Sequence, residues 1–151
     1  MFRGLIQLVV RALGVPGRHH SVGARGEAAA AVFLREKGYS ILARNVWMNF
    51  GEADLVARDP GDVRGPTLVV VEVKARVRRA DVGGKSGEIR PEASVTARKK
   101  AKLRRLASAL AEANGGGPRR VDVIAVEYPM TAPGVLGEPT IRHFVDAVRG
   151  R

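Results

Sequence analysis

The chain has 151 residues, no cysteine, and a formal charge of +11 from 26 Lys and Arg against 15 Asp and Glu. That length suits one domain with one core, and the missing cysteines exclude disulfides and thiolate ligands and fit a cytoplasmic protein. The charge favours polyanionic partners, nucleic acid first, and three scattered histidines without cysteine exclude a structural zinc site in practice.

Residues 1–20 read as an N-terminal extension and 21–151 as the folded domain. Met1–Val15 is apolar but broken by Arg3 and Arg11, too short to span a bilayer and without a signal-peptide cleavage pattern. A basic amphipathic segment of this kind packs on the domain, frays, or touches a membrane surface without inserting. His19 and His20 are adjacent and lack a third ligand, so they read as linker.

Ser21 or Gly23 opens a helix that Gly38 ends after Lys37, with Ala24, Ala28, Ala31 and Val32 or Leu34 as its apolar stripe. Glu27 falls in the first turns, where the helix dipole favours a carboxylate and explains it adequately. Tyr39–Val46 reads as a strand. Trp47 and Phe50 occupy the following turn, where aromatic residues more commonly cover a core end than stack on a base.

Gly51–Asp59 and Thr67–Lys74 read as two strands joined by a Pro/Gly turn. The run Thr67–Val71 is apolar on both faces, as in a central strand. From Arg76 to Glu92 the chain is polar and glycine-rich, a loop with Arg76, Arg78 and Arg79 on its near side. Its Gly-Lys-Ser lacks the spacing of a phosphate-cradling Walker loop.

Ser94 is a suitable cap for a second helix running to Ala113, with Leu103, Leu106, Leu110 and Ala113 inward. Six basic residues lie between Arg98 and Arg105 with no acid among them; Arg98, Lys102 and Arg105 share a face and Lys99 lies on the next row. Such a cluster is either a solvated face or a phosphate-backbone contact surface. Strands follow at Arg120–Glu127 and Thr140–Val145, separated by a Pro/Gly loop. Asp122 shares a face with Ile124, so its burial requires a partner.

Element order predicts an α/β domain: a three-strand meander, a helical crossover permitting a parallel fourth strand, and helices on both sheet faces. Its central stretch carries the chemistry. Glu72 and Lys74 share one strand face, and Asp54 comes beside Glu72 if the two strands pair. Like charges so placed are unfavourable without a cation between them. Two carboxylates suit magnesium or manganese, with Lys74 close enough to hold a water or neutralise charge on a phosphate and Glu52 as an outer partner. The competing account is a hairpin whose charged residues face water.

The chain resembles the YraN-like family of small bacterial proteins, itself similar to Holliday-junction resolvases within the restriction-endonuclease-like nuclease superfamily. The likeness runs from Gly23-x-x-Gly26-Glu27-x-x-Ala30 and Gly38-Tyr39-x-Ile41-Leu42-x-x-Asn45 through Gly51-Glu52-x-Asp54-Leu55-Val56-Ala57. It continues in Val71-Glu72-Val73-Lys74-x-Arg76, Val95-Thr96-x-x-Lys99-x-x-Lys102-Leu103 and Arg120-Val121-Asp122-Val123. It implies a restriction-endonuclease-like mixed β-sheet flanked by helices, and a Mg- or Mn-dependent endonuclease. Asp54, Glu72, Lys74 and the helix residue Glu27 match the superfamily's catalytic positions, with Asp54, Glu72 and Glu27 toward the metal. Arg76, Arg78, Arg79, Arg98, Lys99, Lys102 and Arg105 would contact nucleic acid, DNA favoured over RNA, and the resolvase likeness implies a homodimer. Two other functions fit the same residues: a nucleic-acid-binding module that does not cleave, and, less well supported, an interaction protein using Met1–Val15.

Overall fold

The computed structural model describes residues 21–79 and 91–149. The expected extension, with His19 and His20, and the greater part of the Arg76–Glu92 loop lie outside these residues.

The first helix, α1 (Val22–Glu36), starts at Ser21, whose hydroxyl oxygen accepts the Ala24 N–H at 3.1 Å. It ends before Gly38, whose φ of +89° suits a residue without Cβ. The buried stripe is Gly26, Ala30, Ala31 and Leu34, whereas Ala28 and Val32 are exposed. This corrects the expected Ala24/Ala28 face. Gly26 is the reason: a Cβ there would collide with that of Ala75, so the helix lays its smallest residue on the sheet.

Strands β1 (Ser40–Met48), β2 (Gly51–Asp59) and β3 (Thr67–Arg78) form the expected antiparallel meander. The second helix, α2 (Ala97–Ala113), connects β3 to β4 (Arg119–Ala132), which pairs parallel with β3 from Leu68↔Arg119 to Arg78↔Pro129. The short β5 (Val135–Leu136) folds back on the end of β4, and β6 (Thr140–Phe144) pairs antiparallel with β4. Among the described residues this is a six-stranded mixed sheet with two helices, consistent with the restriction-endonuclease-like α/β arrangement.

Alternate residues of the central strands feed two cores. Val56, Val70, Val121 and Val123 pack with Leu103 and Leu106 of α2, while Leu55, Val69, Val71, Ile124 and Val126 pack with Ala30, Ala31 and Leu34 of α1. Each fully buried Val or Leu contributes about 1.5–3 kcal/mol, so the doubly covered β3–β4 centre is the most strongly held part of the molecule.

Other local expectations shift. Thr96, not Ser94, caps α2, its hydroxyl oxygen accepting the Lys99 N–H at 3.2 Å; Pro91–Ser94 forms a short 3-10 turn ahead of it. Ala113 is exposed, and Ala107 and Ala111 are buried instead. Arg76 and Arg78 belong to β3 rather than to a loop, because pairing with β4 continues that far. Trp47 is 54% exposed and does not cover the core, whereas Phe50 does pack against it.

Candidate functional site

The candidate centre forms where β2 and β3 separate. Their ladder runs from Asp59↔Thr67 to Leu55↔Val71. One position further, Asp54 lies opposite Glu72, and its Oδ2 accepts the Val73 N–H at 2.7 Å. On the other side of β2, pairing with β1 passes from Arg44↔Leu55 to Val46↔Ala53 and skips the step between them. At that skipped step Asn45 has φ 49°, and beyond it Val46 and Ala53 both join the α2-side core. Strict alternation from Val56 would have turned Ala53 to the other face, so the strand twists locally at Asp54.

Glu72 is 4% exposed. Its Oε1 pairs with Lys74 Nζ at 3.2 Å, and its Oε2 lies 3.5 Å from Lys99 Nζ of α2. Oε2 makes no hydrogen bond among the described residues. The α2 N-terminus is therefore drawn over the fork by charge as well as by packing.

Burial, then the negative charge of Glu72, pushes the Asp54 carboxyl up to about 7 against the lowering effect of the Val73 N–H. Glu27 is raised by burial, then by Glu52 and Glu72, with Arg44 opposing. Glu27 thus senses the fork from α1. It does not complete a cluster: among the described residues no group of three or more His, Asp or Glu side chains converges to hold a metal ion.

The Asp54 and Glu72 carboxylates repel each other across the fork, and both carry marks of an incomplete environment. One has a buried oxygen without a hydrogen bond, and the other is raised toward neutrality by its neighbour. Hard oxygen donors of this kind fit Mg²⁺ or Mn²⁺, which are held through one or two carboxylates with waters and phosphate oxygens completing the shell.

The expected basic residues separate into groups. Arg76 is committed to Glu127, its Nε donating to Oε2 at 2.6 Å, and Arg78 lies 3.8 Å from the same carboxylate. Arg79 and Arg98 are exposed. Lys99 turns inward to Glu72 rather than outward. Arg105 covers the Phe50 ring at 4.3 Å, and the Lys102 stem packs beside Gly51 at the β1–β2 turn. The α2 surface near the fork therefore combines Arg98, Lys102 and Arg105, while Arg76 is held in an ion pair.

A second polar cluster was only half legible in sequence. Arg120 donates from Nε and Nη2 to the two oxygens of Asp122 at 2.9 and 3.1 Å, and its Nη1 reaches Asp62 at 2.6 Å and Asp59 at 3.0 Å. Nη2 also meets the Tyr39 hydroxyl at 2.9 Å. Asp122, fully buried, takes in addition His143 Nε2 at 2.8 Å and the Asp146 N–H at 2.8 Å. The requirement that Asp122 have a partner is met by three. The Arg-x-Asp spacing puts Arg120 and Asp122 on one strand face; Asp59, Asp62 and His143 arrive from distant elements.

This cluster is separate from the fork although the register is close. Asp122 pairs with Val71 and Glu72 with Val123, so the two acids are one step apart and project to opposite faces. Among the described residues no helix is long and apolar enough to cross a membrane.

Residues 26–126 match the family described as "Uncharacterised protein family UPF0102". The chain is 46% identical over 108 residues to a UPF0102 protein of Symbiobacterium thermophilum, covering 70% of this chain and 81% of that one. It is 38% identical over 135 residues to one from Roseiflexus castenholzii, covering 87% and 96%. A UPF0102 protein of Nocardia farcinica is 40% identical over 130 residues, covering 85% and 89%. The matched segment contains Glu27, Asp54, Glu72, Lys74 and Arg120–Asp122 together. The chain belongs to the UPF0102, YraN-like family.

Proposed function

We propose that this protein is a metal-dependent phosphodiesterase acting on nucleic acid, centred on the fork between β2 and β3. The observation that carries the reading is the carboxylate pair itself: Asp54 against the Val73 N–H, opposite a buried Glu72 that holds Lys74 at 3.2 Å. Two adjoining acids in an apolar sheet are costly while both are charged, because each desolvated charge costs several kcal/mol, and a bound cation relieves that cost.

Asp54 and Glu72 would hold Mg²⁺ or Mn²⁺, with Glu27 acting through a water; when bound, the ion polarises a phosphate and lowers the pKa of water. The remaining work falls to the chain. Lys99, paired to Glu72 Oε2, offsets part of the buried negative charge. Lys74 is 40% exposed at its side chain and extends from Glu72 toward solvent, so its ammonium can orient a water or meet charge developing on a phosphate oxygen. Arg98, Lys102 and Arg105 on α2 provide sequence-independent backbone contacts. DNA as substrate, a branched substrate and a dimer acting on two strands follow from the resolvase likeness, and a cytoplasmic setting belongs to the same reading.

A non-cleaving nucleic-acid-binding module is favoured by one different observation. Lys74 and Lys99 already pair with Glu72, so lysines supply part of the compensation that a metal would provide.

A labelled panel of branched, flapped, single-stranded and duplex DNA and structured RNA, incubated with Mg²⁺ or Mn²⁺, separates the two. Cleavage by the natural sequence, lost in folded Asp54→Asn and Glu72→Gln, is the expected result. Tight, salt-sensitive binding with no cleavage in either metal would replace the enzyme by the binding module.

A further inference from the structure

A cavity of about 430 Å³ opens away from the fork, beside the C-terminal half of α2 and the start of β4. Its rim carries Arg64, Arg104, Arg119 and Arg149 with Ser108, and one carboxylate, Asp146. Arg104 and Ser108 are five and nine positions beyond Lys99, about 8 and 14 Å along the helix at 1.5 Å per residue, and neither Asp54 nor Glu72 lines the cavity, so this site is distinct from the carboxylate pair.

The arginines are not equivalent. Buried Arg120, which also lines the cavity, is neutralised by Asp59, Asp62 and Asp122. Arg64 pairs with Asp62 at 3.0 Å and Arg149 with Asp146 at 3.1 Å. Arg104 and Arg119 meet only neutral acceptors: the Arg149 carbonyl at 3.4 Å and the Ser108 hydroxyl oxygen at 3.0 Å. Among the described residues neither has a carboxylate partner. Because Ser108 accepts from Arg119, its own O–H is left to donate. Val121 and Val148 supply an apolar wall, which concentrates the field of the two uncompensated guanidiniums.

We propose that this cavity is a separate phosphate-binding site, in which Arg104 and Arg119 grip the anion and Ser108 donates a third hydrogen bond. Planar guanidinium forks match phosphate oxygens bidentately, and the volume falls within the range of small-ligand sites. The shared ligand chemistry is a phosphate ester, borne by a mononucleotide or by a nucleic-acid backbone. Anion binding here does not depend on cleavage at the fork.

The test is titration of the full-length protein with pyrophosphate at low salt, followed by amide NMR. Saturable shifts centred on Ser108, Arg119 and Arg120 are expected, with affinity reduced at least about tenfold in Arg104→Gln/Arg119→Gln. Arg35→Gln/Lys37→Gln removes equal charge from the end of α1 and should retain affinity. Non-saturating shifts, or equal weakening in both double variants, would overturn the site. Should the first double variant lose its dispersed spectrum, Arg104→Gln alone carries the same expectation of weakened binding. Displacement of pyrophosphate by adenosine monophosphate identifies a small ligand, and displacement only by an oligonucleotide without terminal phosphate identifies a backbone. Displacement by neither rejects the phosphate-ester assignment.

Discussion

Asp54 Oδ2 lies 2.7 Å from the Val73 amide nitrogen, so a side chain of β2 accepts a hydrogen bond where a continued ladder would offer backbone. The bond ties the carboxylate to β3 beside Glu72. It explains how the sheet can separate here without leaving the Val73 N–H unpaired, a loss worth about 1–3 kcal/mol in a buried setting.

Asp54→Asn and Asp54→Ala should therefore part company. The amide oxygen of Asn can still accept from Val73, so at about pH 4, where Asp54 is protonated in the folded chain, this variant should unfold close to the natural midpoint. Ala leaves the donor without its partner and should lose about 1–3 kcal/mol. Urea denaturation of the two variants side by side checks this; equal stability would mean that the hydrogen bond holds nothing.

The raised Asp54 carboxyl has a definite sign in stability. The folded chain binds this proton more tightly than the unfolded chain, so the contribution is present below the ordinary carboxylate pKa of 3.8 and is lost as pH rises through about 7. The slope for one proton approaches ~1.4 kcal/mol per pH unit across that window. Denaturation of the metal-free protein between pH 4.5 and 8 should show this decline, and Asp54→Asn should flatten it.

Asp122 behaves in the opposite sense. Burial alone would raise its carboxyl, but hydrogen bonds from His143, Arg120 and the Asp146 N–H outweigh burial and hold it below the ordinary value. Its contribution is present above pH 3.8 and is lost as pH falls through the depressed value. Asp122→Ala leaves Arg120 paired with Asp59 and Asp62 but takes the acceptor from His143 and the Asp146 N–H, and should cost about 1–3 kcal/mol for each donor left without a partner at neutral pH. Thermal and urea unfolding measure the loss; a change under 1 kcal/mol would show that the remaining acids suffice.

Lys74→Ala removes one of the two ammoniums paired with buried Glu72, so some stability should go with it. On the proposed mechanism the larger effect is on rate, since an electrostatic group lost from a transition state typically costs about 10²–10³. Single-turnover cleavage of whichever substrate the panel identifies, with Mn²⁺ binding followed in parallel, separates the roles. Full activity in the variant would remove Lys74 from the mechanism.

Gly26→Val tests how α1 is seated. The added side chain must displace Ala75 or tilt the helix, and overpacking of this kind costs about 1–3 kcal/mol. Because Glu27 is the next residue, on the proposed mechanism the same shift should also lower the cleavage rate. Comparing denaturation midpoint with cleavage rate shows whether the helix glutamate needs its present seat.

Read residue by residue, the sequence already contained the meander, the parallel fourth strand and the two covering helices. Those rest on local periodicity: valines on both faces of β3, leucines at helical spacing in α2, and glycines where each helix stops. It also placed Glu72 and Lys74 on one face, since strand alternation needs no tertiary information. Alternation failed where a glycine contact set the rotation of α1, where the phase of β2 changes between Val56 and Ala53, and where Arg76 found Glu127 across a parallel pair.

What only the tertiary structure decided is which charges are already answered. Arg120 meets Asp59 at the end of β2 and Asp62 in the turn after it, and Glu72 meets a lysine from α2. Arg104 and Arg119 reach a common cavity from a helix and a strand start, with no acid among the described residues paired to either. A charge in sequence carries only its sign and spacing. Whether it is neutralised depends on distances of a few ångströms between segments that lie far apart along the chain, and those distances exist only once the chain has folded.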